Sequence, residues 1–414
     1  MTRVDVVVIG AGAAGMMCAA IAGQRGRRVV LIDHAAKLAE KIRISGGGRC
    51  NFTNRVVRPE HFVSANRHFA RAALEAFTPQ DFIAMVDRYG IAWHEKHRGQ
   101  LFCDKSSEQI IDMLRHECDL GQVQWRMPDQ VLSIERTPEG FTLNTINGLI
   151  ETTKLVMATG GTAVPQVGAT DFGLVWARRF GLKIIEPRPA LVPLTFDAEI
   201  WKPFGVLAGV SVEAAIGLDA LKTDTTHAPL SGKKAHSKKV AHTVPQFFED
   251  VLFTHKGLSG PGILQISSYW QPGQPITLDL APQQHMVEML RQKKIGSRQQ
   301  LGSVLSDLWP KRLAEQWLGD ASQTRLADAS DASLKALGER IHHWSITPSG
   351  TAGFKKAEVM KGGVDTNELN QRTFEVKSVP GLHFIGEVVD VTGWLGGYNF
   401  QWAWASGFAC GQAM

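Results

Sequence analysis

Hydrophobic positions fall into three regimes along the chain. Residues 4–9 (VDVVVI) and 29–32 (VVLI) are nearly continuous β-branched and aliphatic runs. That is the pattern of strands buried on both faces of a parallel sheet. Between them lies an Ala- and Met-rich stretch of helical character, ended by Gly26. Two runs of the first kind return later, at 154–161 (KLVMATGG) and 382–385 (LHFI), and an apolar helix of small residues follows Gly396-Gly397. Residues 187–282 form a second regime. Short β-prone runs at 191–196, 209–215 and 275–280 are separated by Gly, Pro and Asp turns, which predicts antiparallel strands, barrel-like if they close. From 283 to about 344 apolar residues recur at three and four places, so amphipathic helices are predicted, broken at 307–310 (DLWP).

The turn after the first strand carries chemistry. Gly10-Ala11-Gly12-Ala13-Ala14-Gly15 joins strand to helix, and the second strand ends at Asp33. Gly10 permits the tight turn, Gly12 lets a pyrophosphate approach the backbone, and Gly15 lets helix pack on strand. The helix N-terminus faces the phosphates, and Asp33 is placed to accept hydrogen bonds from a ribose hydroxyl. Strand, glycines, helix, strand and acid in this order within about 30 residues make a strong dinucleotide fingerprint. FAD and NAD share it, so other features must choose. The strand ending in Ala158-Thr159-Gly160-Gly161 is one, as in two-dinucleotide-binding flavoproteins. Gly386-Glu387 is another, a carboxylate at a strand end where such flavoproteins hydrogen-bond the ribityl chain. The helix after Gly396-Gly397 would offer its N-terminal N–H groups to the N1/O2 edge of a flavin. First and last segments together close one cofactor site, which NAD alone would not require.

The stretch SGGGRCNFTN, residues 45–54, makes a poor helix and a poor strand. Gly46, Gly47 and Gly48 carry no side chains, so their backbone can lie against pyrophosphate and flavin. Lys41 and Arg49 supply positive charge for phosphates or reduced flavin. Cys50 has no partner cysteine within four residues, which argues against dithiol chemistry. Two readings of it stay open: a general acid that protonates one carbon of a C=C bond, or a buried packing thiol.

These segments resemble the YhiN/BaiN-type flavoprotein family, through KIRISGGGRCNFTN (41–54), GQLFCDKSS (99–107), LVMATGG (155–161), FTHKGLSGPGILQIS (253–267) and GLHFIGEVVDVTGWLGGYNFQWAWASG (381–407). The resemblance implies an α/β fold: a two-dinucleotide-binding-like FAD domain of Rossmann type with an inserted antiparallel β domain and a small helical domain. The expected boundaries are 1–188 and 346–414 for the FAD domain, 189–282 for the β domain and 283–345 for the helical one. It implies FAD as cofactor and NADH or NADPH as a transient co-substrate. Cofactor contacts are expected from Gly10, Gly12, Ala13, Ala14, Gly15, Asp33, Lys41, Ser45, Gly46, Gly47, Gly48, Arg49, Val131, Ala158, Thr159, Gly160, Gly386, Glu387, Gly396, Gly397, Tyr398 and Asn399. Arg49, Cys50 and His255 are the expected catalytic residues, with a structural histidine the alternative for His255. Members of the family reduce conjugated double bonds. One branch is associated with reducing a uridine of large-subunit ribosomal RNA to dihydrouridine, another with reducing a steroid enone. The chain departs from the usual pattern at Trp394-Leu395, where smaller or acidic residues are common.

Composition narrows the setting. The 414 residues are 44% hydrophobic and 21% charged, an ordinary globular balance. Residues 6–24 carry no formal charge, but four glycines and the absence of a basic leader argue against a membrane span or signal peptide. Five cysteines without a CxxC argue against a disulfide framework or zinc site and suit a reducing cytoplasm. The net charge of +5 is compatible with a polyanionic partner. Residues 221–243 concentrate Lys222, Lys233, Lys234, Lys238, Lys239 and three histidines. This basic loop is either a solvated hairpin or an arm that neutralises RNA phosphates. FTHKGLSGPG lacks the GxGxxG spacing, so no dedicated NAD(P)H fold is expected. Instead Ser259 is expected to cap a helix, with Thr254 and His255 toward a substrate cleft. Trp93, Trp394, Trp402 and Trp404 are stacking partners or core, with core favoured near the last helix. The expected assembly is a monomer or weak oligomer, acting on ribosomal RNA or a small molecule.

Overall fold

A computed structural model describes residues 2–219 and 244–414. The basic loop from Lys222 to Lys239 lies outside the described residues. The chain divides into two compact units, Met1–Ala190 with Gly353–Met414, and Leu191–Ala352. The helical stretch 283–345 falls within the second unit.

The first unit is built on a seven-stranded sheet. Its elements are β1 (Thr2–Ile9), α1 (Ala13–Gln24), β2 (Val29–Ile32), α2 (Glu40–Ile44), β3 (Asn51–Asn54), β4 (Trp93–Glu95), β5 (Gln100–Cys103), α3 (Glu108–Leu120), β6 (Gln124–Arg126), β7 (Val131–Thr137), β8 (Gly140–Thr145), β9 (Gly148–Met157), β10 (Ile184–Ala190), β11 (Val359–Val364), β12 (Leu382–Phe384) and α4 (Tyr398–Gln412). The sheet runs β6-β2-β1-β9-β8-β7, and β12 pairs with the end of β9. β6, β2, β1, β9 and β12 are parallel neighbours, while β8 and β7 add an antiparallel edge. Val6, Val7, Val8 and all four residues of β2 are essentially inaccessible, as expected for strands covered on both faces.

α1 is apolar on every side because it lies against the sheet, α3 and α4. Its contact with α4 is at backbone distance. A Cβ at Gly407 would stand 2.5 Å from the Ala14 carbonyl oxygen, and one at Gly411 2.8 Å from that of Cys18. Small residues are therefore required on that face of α4. The same helix is pinned by its long side chains. Trp402 Nε1 donates to the Gly386 carbonyl (3.0 Å) and Trp404 Nε1 to that of Phe52 (2.8 Å). Gln401 accepts from Thr53 Oγ1 (2.7 Å) and donates to the Phe77 carbonyl. Both tryptophans are core, each contributing on the order of 5 kcal/mol of gross burial energy.

The second unit holds seven antiparallel strands in the order 344–346, 276–279, 211–218, 247–254, 257–259, 194–195, 350–351. No ladder joins the two ends among the described residues, so these strands form an open sheet rather than a closed barrel. The helix Pro261–Ser267 starts where expected, with a different cap. Ser259 ends the strand Gly257–Ser259, and Gly260 is the N-cap at φ +87°. A Cβ at Gly260 would lie 2.7 Å from the Asp250 carbonyl oxygen, so backbone crowding and not a hydroxyl cap fixes this turn.

Among the described residues no helix is long and apolar enough to cross a membrane.

Candidate functional site

The predicted turns meet at the carboxyl ends of the parallel strands. Ile9 is level with Met157, and Met157 with Phe384. Backbone bonds continue the alignment one residue further: Gly10 N to the Ile32 carbonyl (2.8 Å), Ala158 N to that of Ile9 (2.8 Å), Ile385 N to that of Met157 (3.1 Å). The Gly10–Gly15 turn, the turn at Ala158, Thr159 and Gly160, and Gly386-Glu387 therefore lie side by side, in the crevice position of open α/β sheets.

The glycines of this region divide by what a side chain would meet. Gly10, at φ +107°, would place a Cβ 2.4 Å from the Ala158 carbonyl oxygen, and Gly15 one 1.8 Å from that of Gly10. Gly386 would meet Ala14, Gly46 would meet Phe102 and the Asn51 amide, Gly396 would meet Gln100, and Gly397 would lie 2.3 Å from the Thr53 carbonyl oxygen. Those six are demanded by packing. Gly12, Gly47 and Gly48 meet nothing within 4 Å, and Gly160 meets only a Glu387 oxygen at 3.9 Å. These four line open space, which is what a cradle for a bound group requires. At its edge the Thr159 hydroxyl oxygen is buried without a hydrogen-bond partner. No side chain caps the N-terminus of α1, whose first turn includes Ala13 and Ala14. The dinucleotide cradle thus has free donors and room for phosphates.

Asp33 holds the turn itself: one carboxylate oxygen accepts from Ala11 N (2.7 Å), the other from Ala35 N (2.9 Å). Val131 begins β7 near the end of β2, where Asp129 N donates to the Asp33 carbonyl (2.8 Å). Lys41 projects from α2 and pairs with Glu387 at 2.6 Å, both half-buried. The second Glu387 oxygen accepts from Met360 N of β11 (2.8 Å).

The triple-glycine stretch is a tight turn, Ser45–Gly48, left-handed at its glycines. Gly46, Gly47 and Gly48 take φ of +57°, +66° and +84°, a succession only glycine adopts without strain. Ser45 Oγ donates to the Ile42 carbonyl (2.7 Å), and Arg49 is exposed. Cys50 follows at φ +50° and is fully buried. Its thiol has no surface on which to meet a ligand, and burial, with Cys103 close by, holds it strongly protonated. The acid reading of Cys50 is therefore set aside in favour of packing.

At the head of α4, Tyr398 is buried against His61 (4.9 Å between ring centroids) and Phe62, and burial lifts its hydroxyl pKa to about 12. Asn399 is spent on the preceding loop, accepting from Gly393 N (2.8 Å) and donating to the Gly393 carbonyl (2.9 Å). The half-exposed Trp394 packs on His61 at 4.7 Å. Trp93, half-exposed, carries the Arg55 guanidinium over its ring at 5.4 Å. His255 belongs to the second unit and is exposed on the turn between strands 247–254 and 257–259, where Thr254 Oγ1 donates to the Gly257 carbonyl (2.8 Å).

One group was not anticipated from the sequence. Glu358, an exposed residue at the bend entering β11, is reached by the Lys41 charge.

Fold and site together define a dinucleotide-binding oxidoreductase of the FAD type. The chain belongs to the HI0933-like protein Rossmann domain family, whose pattern matches residues 4–413. It is 48% identical to the ribosomal RNA dihydrouridine synthase of Escherichia coli (strain K12), over 100% of this chain and 98% of that one. It is 43% identical to the ribosomal RNA dihydrouridine synthase of Haemophilus influenzae, over 98% and 96%. It is 26% identical to the 3-dehydro-bile acid delta(4,6)-reductase of Clostridium scindens, over 98% of both.

Proposed function

We propose that this protein is an FAD-dependent, NAD(P)H-driven reductase of an activated C=C bond, acting in the cytoplasm on a uridine of large-subunit ribosomal RNA to give dihydrouridine. The observation that carries the substrate is the end-to-end 48% identity with a ribosomal RNA dihydrouridine synthase, against 26% with the bile acid reductase. The cradle of Gly12, Gly47, Gly48 and Gly160 supports the cofactor.

FAD, reduced by a transiently docked NADH or NADPH, supplies the hydride for C6 of the uracil ring. The residues of the chain hold and orient. The first turn of α1, from Gly12 to Gly15, would hold the pyrophosphate, and Asp33, which fixes the turn, would accept from a ribose hydroxyl with Val131 nearby. Lys41 and Glu387, with Ala158, Thr159 and Gly160, would hold the ribityl chain. Ser45 to Gly48 would offer bare backbone to the flavin, and the exposed Arg49 would supply positive charge. Gly386, Gly396, Gly397, Tyr398 and Asn399 shape the site through packing. The target base must leave its stack, which costs least in an unpaired RNA region. His255 and the basic loop are assigned to substrate RNA.

Mass analysis of ribosomal RNA from a strain lacking the gene tests this reading. One dihydrouridine of the large-subunit RNA should vanish and return on complementation; an unaltered uridine inventory refutes it. Binding of a large-subunit RNA transcript should fall by roughly 10³-fold between about 50 and 200 mM salt if several phosphates are neutralised.

A further inference from the structure

A base reaches a flavin only if the strand that carries it is held beside the cradle. β5 ties one edge of the first unit to two of the glycine turns. A Cβ at Gly46 would stand 2.8 Å from the Phe102 ring, and one at Gly396 2.9 Å from the Gln100 side chain. Between β4 and β5 the chain turns through residues 96–99, with Lys96 N on the Gln100 carbonyl (3.0 Å) and Gln100 N on that of His97 (3.1 Å). Asn54 Nδ2 joins this turn to the later one, donating to the Arg98 (3.0 Å) and Gly396 (3.1 Å) carbonyls. Just ahead of Gly396, Gly393 pairs with Phe62, Trp394 N donates to the His61 carbonyl (3.0 Å), and the Trp394 and His61 rings meet at 4.7 Å. Arg58 N donates to His61 Nδ1 (3.2 Å), which sets Arg58 at the same corner. Segments 49–61 and 94–105, which build this edge, carry six Lys and Arg residues, all exposed, against three carboxylates. Two of those carboxylates are engaged, Glu95 by Arg55 and Asp104 by His94 (2.7 Å).

We propose that this edge binds an unpaired RNA segment, with Trp394 as the platform for one base and Arg58, Lys96 and Arg98 around it for the phosphates. The assignment deepens the reading above and rests on it for the chemistry done at the flavin. Every base has a π face, so a half-exposed tryptophan holds a strand without reading its sequence, while cations beside it track the backbone. A duplex keeps its bases stacked on one another, so a stacking platform selects unpaired RNA. An acidic protein segment would use the cations but not the ring. The platform is arranged before binding: the Trp394 backbone is fixed by His61 on one side and by Asn399 Nδ2 on its carbonyl (3.3 Å) on the other, and Tyr398 braces His61 at 4.9 Å. Little ordering is then lost when a base arrives. Arg55, held by Glu95 and over the Trp93 ring at 5.4 Å, shapes the edge instead of meeting phosphate. A nucleotide anchored here lies beside the Gly46 and Gly396 turns, which leaves its neighbour to turn out toward the cradle.

The test uses the full chain loaded with FAD and a fluorescein-labelled oligouridylate of about 12 nucleotides, read by anisotropy across a salt series, with FAD content and melting temperature measured in every variant. Trp394→Ala should weaken binding by roughly 5- to 150-fold at an unchanged salt slope, and Trp394→Phe, which keeps a π face, should recover most of it. The double variant Arg58→Gln/Arg98→Gln should instead flatten the slope of log affinity against log salt by about 0.7 for each cation removed. A purely structural role would not divide affinity from salt slope in this way. Wild-type protein that does not bind the strand at about 50 mM salt, or variants that bind it as the wild type does, overturn the assignment. Where Trp394→Ala fails to hold FAD, the exposed arginine pair decides alone. Binding through these residues, in a protein whose deletion leaves every ribosomal dihydrouridine in place, keeps the edge and refutes the uridine reading. A dihydrouridine lost on deletion, with both variants unaffected, refutes the edge alone.

Discussion

Gly12→Ala isolates the cradle from the fold. Gly12 sits in extended backbone at φ −86°, a region alanine enters freely, and a Cβ there meets no protein atom within 4 Å. The fold should therefore lose only the difference between glycine and alanine at a helix N-cap, up to about 1 kcal/mol. The methyl group would instead stand where a phosphate must approach the first turn of α1. Holding the pyrophosphate off by one methyl breaks at least one charge-assisted N–H···O bond, each contributing about 1.5–3 kcal/mol. The expected loss of FAD affinity is therefore roughly 10- to 150-fold, at nearly unchanged stability without FAD. Calorimetric titration of FAD into stripped protein measures the first quantity, and thermal melts without and with FAD measure the second and its linkage. Gly397→Ala is the contrast. At φ +94°, with Thr53 oxygen 2.3 Å from the new Cβ, it should destabilise the fold by several kcal/mol, FAD or no FAD. An alanine at position 12 that binds FAD as tightly as glycine would refute the cradle.

Cys50→Ala should retain FAD and turnover while costing about 1 kcal/mol in urea denaturation, because a fully buried thiol leaves a small void and touches no ligand; a collapse of turnover at full FAD occupancy would restore it as a catalytic group. His383 is buried on β12 with Nδ1 bonded to the Thr373 carbonyl (3.0 Å) and Nε2 unpartnered, and burial lowers its pKa to about 4. The unfolded chain binds this proton first, so the stability tied to neutral His383 is present above about pH 6.5 and lost as pH falls toward 4. Between pH 7 and pH 5 that is a loss of about 2 kcal/mol, which His383→Phe should remove from the stability–pH slope of FAD-free protein. Other groups titrate over the same range, so only the difference between variant and wild type reads out His383. Equal slopes in the two proteins would refute the assignment.

The parallel core was legible because strands covered on both faces need no alternation. β1, β2, the end of β9 and β12 each read directly from an apolar run. β11 did not. Its sequence, VMKGGV, places a lysine and two glycines in a buried strand. There Gly362 and Gly363 are required because Cβ atoms would stand 2.5 Å from the Glu186 carbonyl oxygen and 2.4 Å from that of Val388. Such a strand reads as a turn, and with it the position of Glu358 was lost. The small sheet of β3, β5 and β4 was equally silent, since strands of three or four residues carry too little pattern to count.

The site residues show a deeper limit. A glycine in the sequence states that a side chain is forbidden, not what forbids it. Gly12 and Gly397 read alike as cofactor contacts, yet the first faces open space and the second the backbone of Thr53. Cys50 inverts in the same way. A cysteine beside a glycine loop looks reactive until burial removes its surface and holds its thiol protonated. Access is set by neighbours from distant segments, which the loop's own sequence does not name. A motif can therefore place a loop under a flavin without saying which of its neighbours moves the proton.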